Sequence, residues 1–146
     1  MGRIIGLDYG AKTVGVAVTD PTKTIVSPLE TIKRDIESKI RPTLRRITEL
    51  SKENDAELIV LGHPLNMDDT RGERAFKTEA FRDQLEKRLH ADGMDIKVVL
   101  WDERLSTMGA DEILEESGID KNFRKQYIDK IAAALILEDY MKNGRL

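Results

Sequence analysis

The chain has 146 residues, 40% hydrophobic and 35% charged, with 27 acidic against 24 basic residues and a net charge of −3. That length suits one ordinary domain, residues 1–146, and the charge is not the strongly basic balance of a protein that coats nucleic acid. With no cysteine and two distant histidines, the sequence excludes disulfides, thiolate catalysis and cysteine-based zinc sites, so any metal is expected on oxygen ligands.

Met1-Gly-Arg leads straight into an apolar run rather than a signal peptide, and no run approaches the roughly 20 residues that span a bilayer. A cytoplasmic protein without a membrane partner is expected. Residues 3–7 and 13–19 then read as two strands, joined by a turn over residues 9–12 in which Gly10 can take positive φ. Asp8 closes the first strand. A carboxylate at the end of an apolar strand loses solvation and needs a cation, donors or water. Its competing role is to accept hydrogen bonds from its own turn, as aspartates beside glycine commonly do.

Residues 24–31 can add a third strand, which Pro28 confines to an edge or a bulge. Residues 35–54 carry Ile36, Ile40, Leu44, Ile47 and Leu50 at helical spacing, with a kink or a fresh start expected at Pro42. The apolar run 57–62 suits a parallel strand covered on both faces. A loop from Leu65 to Gly72 follows. Thr70 with Glu73 offers a capping box for a helix over 73–92, and Gly93 suits the position just past its end. Residues 95–102 form the next strand. After them come a short helix capped by Ser106 and stopped by Gly118, and a last helix over 121–142 capped by Asp120.

The expected architecture is therefore α/β: a five-stranded mixed sheet, made of a three-stranded antiparallel meander plus parallel strands, with helices on its faces. Sites in such sheets collect at the carboxyl ends of the parallel strands, where Asp8 and the Asp102-Glu103 pair both fall. Asp129 is the best third acid, because Ala132, Ala133 and Ile136 put it on a face that packs inward. The commoner arrangement for such a residue is at the border of the apolar face, pointing to water. Asp102, Asp111 and Asp120 are weaker rivals. Three carboxylates without a histidine suit Mg²⁺ or Mn²⁺ and hydrolysis of a phosphodiester.

Gly6-Leu-Asp-Tyr-Gly10 with Gly15-Val-Ala-Val-Thr-Asp20, the run Gly62-His-Pro-Leu-Asn-Met-Asp-Asp-Thr-Arg-Gly-Glu-Arg-Ala75, Asp102-Glu-Arg-Leu-Ser-Thr107 and Ile128-Asp-Lys-Ile-Ala-Ala-Ala-Leu-Ile-Leu137 together resemble the bacterial YqgF (RuvX) family. The resemblance covers nearly the whole chain and implies a ribonuclease H-like fold. It implies a nuclease that either matures the 5′ end of pre-16S ribosomal RNA or resolves Holliday junctions, as a monomer or homodimer. Its partners would be structured RNA or branched DNA, together with ribosomal precursor particles.

Carried over by position, it implies metal ligation and catalysis by Asp8, Glu103 and Asp129. Nucleic-acid contacts would come from Gly10 and Lys12 in the hairpin turn, from Asn66, Arg71 and Arg74 in the long loop and the helix start, and from Arg104, Ser106 and Thr107 beside the acids. His63 departs from the family pattern. It is read as a half-buried histidine bonded to backbone, with a proton carrier as the alternative. A nucleic-acid- or ribosome-binding module with weak or no catalysis is the second functional class, and an actin-like phosphotransferase, suggested by the first hairpin alone, the third.

Overall fold

The opening hairpin forms as expected, and it is longer than the apolar residues alone suggest. In the computed structural model, which describes residues 2–65, 68, 70–103 and 121–144 (side chains in the last stretch from residue 128), β1 is Arg3–Tyr9 and β2 is Thr13–Thr19. Asp8 lies within β1, paired with Gly15 of β2. Gly10 does not use positive φ; its N–H reaches the Thr13 carbonyl at 2.7 Å, and among described glycines only Gly93 is left-handed, at φ 79°. The turn closes because the two strands hold it, not because a glycine bends it.

Strand β3, Val26–Lys33, pairs antiparallel with β2 and completes the meander. Its register shifts where Val16 faces Glu30 but Ala17 faces Pro28, so Leu29 is the extra residue of a bulge. Proline, lacking a donor, sits on this edge as expected. Helix α1, Arg41–Glu53, begins with Pro42 in its first turn, where the missing N–H costs nothing. The helical spacing at Ile36 is therefore accidental: residues 35–40 precede the helix and Ile36 is exposed.

Strand β4, Ala56–His63, runs parallel to β1, and β5, Lys97–Asp102, runs parallel to β4. The sheet order is β3-β2-β1-β4-β5. Helix α2, Glu73–Ala91, makes the crossover between β4 and β5. Its expected capping box is absent: Gly72 is the N-cap without a side-chain bond, and the Thr70 hydroxyl donates to Asp68 Oδ1 at 2.6 Å instead. Its other end behaves as expected, with the Gly93 N–H on the His90 carbonyl at 3.0 Å. The last helix, α3, is Lys121–Asn143. The short helix expected after Thr107, and Asp111 and Asp120, lie outside the described residues.

Strand alternation divides the core in two. Ile5, Leu7, Val14, Val16, Ile59, Leu61 and Val98 point to the face covered by α1 and α2, where they meet Leu44, Ile47, Phe81, Leu85 and Leu89. Ile4, Ala17 and Val60 point to the face covered by α3, where they meet Ala133, Ala134, Ile136 and Leu137. Among the described residues no helix is long and apolar enough to cross a membrane.

Candidate active site

Asp8 has the parity of Ile4 and Gly6 in β1, so it faces α3. Glu103 follows β5 and has the parity of Val99 and Trp101, which belong to the same face. Between them runs β4, and at the level where Glu103 must cross it stands Gly62. A Cβ there would lie 2.8 Å from Glu103 Oε2 and 2.6 Å from Ile136 Cδ1. Absence of that one carbon lets Glu103 reach over β4 and hydrogen-bond Asp8. Glu103 is 8% exposed, and its N–H bonds the His63 carbonyl at 3.3 Å.

Asp129 arrives by a second glycine. Gly15, the pairing partner of Asp8, would put a Cβ 1.9 Å from the Asp129 carbonyl oxygen, closer than any real contact allows. The α3 backbone therefore crosses β2 in direct contact, beside the strand position of Asp8. Gly6 extends this seam, since a Cβ there would lie 2.8 Å from Leu137 Cβ and 3.0 Å from the Ala133 carbonyl. The negative charge of Asp129 acts on Asp8.

Burial pushes both Asp8 and Glu103 above the usual carboxylate range. For Asp8 the hydrogen bond from Glu103 and the nearby Arg74 oppose the rise, while Asp129 adds to it. For Glu103 the neighbouring Asp8 and Asp102 charges raise it further, and Arg74 lowers it. The Asp8 and Glu103 carboxyls face each other with Arg74 as nearby counter-charge, an arrangement that favours holding a proton between the two acids, on the Glu103 side.

Among the described residues no group of three or more His, Cys, Asp or Glu side chains is gathered closely enough to hold a metal ion. The donor set nonetheless fits a hard divalent cation. It is all oxygen, the Asp8 and Glu103 oxygens already converge, and a cation replacing the shared proton removes the repulsion that burial creates.

The remaining sequence candidates separate. Arg74 donates to Glu37 Oε1 and to the Tyr9 carbonyl at 3.5 Å, and its charge reaches both acids. Lys12 is exposed in the hairpin turn, and the Gly10 carbonyl accepts Arg34 Nη2 at 2.7 Å. Arg71 is engaged elsewhere, on Glu79 and over the Phe76 ring at 4.2 Å. Asn66, Arg104, Ser106 and Thr107 lie outside the described residues. Among the described residues the His63 ring meets a side chain rather than the expected backbone: Nε2 lies 2.7 Å from Glu79 Oε2, tying the end of β4 to α2 on the face away from the acids.

Sequence reasoning missed Arg34 and Glu37. Arg34 is 9% exposed, with its guanidinium carbon 4.7 Å from the centre of the Tyr9 ring. Nothing in its local pattern signals that, because the aromatic partner lies 25 positions earlier in sequence.

The family described as RuvX, Holliday junction resolvase, matches residues 2–143. A relative from Lachnospira eligens, named "Putative pre-16S rRNA nuclease", is 50% identical over 141 residues, covering 97% of each chain. One of the same name from Agathobacter rectalis is 45% identical over 146 residues, covering 98% of this chain and 99% of its own. Among solved structures, Thermus thermophilus RuvC in complex with Holliday junction substrate superposes with a TM-score of 0.59 at 15% identity, covering 99% of this chain and 97% of that one. The fowlpox virus Holliday junction resolvase gives 0.58 at 15% identity, covering 96% and 98%. The expected ribonuclease H-like architecture is thus present, and with a family match spanning nearly every residue, the chain belongs to the RuvX family.

Proposed function

We propose that this chain is a divalent-cation-dependent endonuclease that hydrolyses phosphodiester bonds in structured nucleic acid, with Asp8, Glu103 and Asp129 as the acids of its active site. The observation that carries the reading is the reach of Glu103 across Gly62 to Asp8. Gly62 makes room for Ile136 of α3 as well as for Glu103, but two buried carboxyls brought together only destabilise a packing scaffold, so their meeting supports a chemical role.

Mg²⁺ or Mn²⁺, when bound by these acids, would polarise a phosphoryl oxygen and lower the pKa of an attacking water. The chain's own groups would orient the substrate. Arg74, whose charge already bears on Asp8 and Glu103, would pair with a phosphate oxygen, and the carboxylate pair would accept hydrogen bonds from the water. Half-identical relatives named for pre-16S rRNA favour an RNA precursor as substrate, while the family description favours a four-way DNA junction.

Cleavage of a pre-16S rRNA leader and of a four-way junction, each with Mg²⁺ or Mn²⁺, tests both. Wild type is expected to cut one of them, and Asp8→Asn or Asp129→Asn to cut neither while melting as a folded protein. Equal rates for all three preparations would overturn the assignment. Binding of either nucleic acid without metal, unaffected by Asp8→Asn and with no cleavage by wild type, would make the chain a binding module instead.

A further inference from the structure

Tyr9 follows Asp8 by one residue and so turns to the opposite face, where it stacks on Phe81 with centroids 4.2 Å apart. The guanidinium carbons of Arg34 and Arg74 lie 4.7 and 5.3 Å from the centroid of that ring. Both arginines also meet Glu37. Arg34 Nε donates to its carbonyl at 3.2 Å, and Arg74 Nη1 donates to Oε1. Lys77 Nζ completes the group, 3.3 Å from Oε2 of the same carboxylate, and keeps the exposed Glu73 as a second partner at 3.1 Å.

Three cations thus gather round two carboxylates, and Arg34 has neither. Its side-chain bonds among the described residues go to the carbonyls of Gly10 and Glu37, and its buried Nη1 has no hydrogen-bond partner. A buried guanidinium without a counter-ion is costly unless an anion comes near. We propose that Arg74 and Lys77, backed by Arg34, form a subsite for a backbone phosphate of the nucleic acid, and that the Glu37 carboxylate fills it in the free protein until the phosphate displaces it.

This proposal rests on the nuclease reading, because Arg74 is the link between the subsite and the acids. The exchange is sterically open: the side chains of Glu37, Arg74 and Lys77 are 25%, 36% and 44% exposed. Ion pairs so exposed are held weakly, and a phosphate offers more acceptor oxygens than a carboxylate. Glu37 also belongs to residues 34–40, which lie between β3 and α1 rather than in either.

The test is binding of a fluorescent pre-16S leader RNA to the full chain in EDTA, followed by anisotropy over a series of salt concentrations. Glu37→Gln is expected to tighten binding at low salt by about tenfold and to steepen the salt dependence by about one counterion. Lys77→Gln is expected to weaken binding and, combined with Glu37→Gln, to cancel most of the gain. Glu37→Gln and Glu37→Ala should agree, since removal of the negative charge is what matters. Unchanged or weaker binding by both would overturn the proposal and make Glu37 a strut that holds Arg74. Cleavage by wild type with no tightening in the Glu37 variants sinks the subsite alone. Tightening without any cleavage sinks the nuclease reading alone.

Discussion

The two faces of the sheet are built on opposite plans. Toward α1 and α2, the strands present Ile5, Leu7, Val14, Val16, Ile59 and Leu61, and the helices answer with Leu44, Ile47, Phe81, Leu85 and Leu89, all buried. Each such side chain contributes about 1.5–3 kcal/mol on burial, so this layer carries most of the hydrophobic stabilisation. Toward α3, the strands set Gly6, Gly15, Ala17 and Gly62 among Ile4 and Val60, and the helix answers with Ala133 and Ala134 beside Ile136 and Leu137. That face surrenders apolar volume so that a helix backbone can lie directly on the strands. Bulk sets the distance on one side; its absence sets the position of the acids on the other. The bulk of the packing and the proposed acid site thus lie on different sides of one sheet.

The sharpest break is Gly15→Ala. Its new Cβ would come within 1.9 Å of the Asp129 carbonyl oxygen, which is backbone and cannot swing aside, so α3 must lift and carry Asp129 with it. Cleavage is expected to fall by about 100-fold or more, since misplacement of about 1 Å has that effect on reacting groups. A steady-state assay on the folded variant checks this. On the opposite face, Leu85→Ala should destabilise by about 2–5 kcal/mol through the cavity it leaves, while kcat below the melting transition stays at the wild-type value. Urea unfolding beside the same assay would show it, and a comparable loss of kcat would erase the distinction between the faces.

Gly62→Ala is milder than Gly15→Ala, because the atoms its Cβ meets are the ends of Glu103 and Ile136, which can rotate. We expect a loss of about tenfold in kcat with nearly wild-type stability, as overpacking against flexible ends costs little. A further prediction concerns pH. Asp8 is raised from 3.8 to about 6 and Glu103 from 4.5 to about 9, so the folded protein keeps protons that the unfolded chain has released. In EDTA, stability should therefore be greatest below about pH 4 as far as these two groups decide it, and decline as pH rises from there through about 9. Melting temperature against pH for wild type and Asp8→Asn measures this, with a shallower decline expected in the variant.

This division also marks what could be read from sequence. The large-residue face was legible, because continuous apolar runs such as 57–62 and helical spacing such as Leu44, Ile47 and Leu50 are local patterns. Asp129 was legible in part, since Ala132 and Ala133 showed that its helix face was small. The role of Gly15 was not, because it depends on α3 crossing β2, a pairing of residues more than a hundred positions apart. Gly62 was hidden for the same reason, its neighbour Glu103 lying on the next strand but one from Asp8. Local rules failed where tertiary contacts replaced them. Gly10 needs no left-handed turn once β1 and β2 are paired, and Thr70 bonds Asp68 rather than capping α2.

The bulge at Leu29 has an effect on how this molecule meets its own kind. An outermost strand with an uninterrupted ladder of amides would recruit other chains and seed fibrils, whereas β3 breaks its ladder at Pro28 and offers a crooked border to any newcomer. A border broken in this way disfavours strand-to-strand pairing between copies on the side of the sheet farthest from β5.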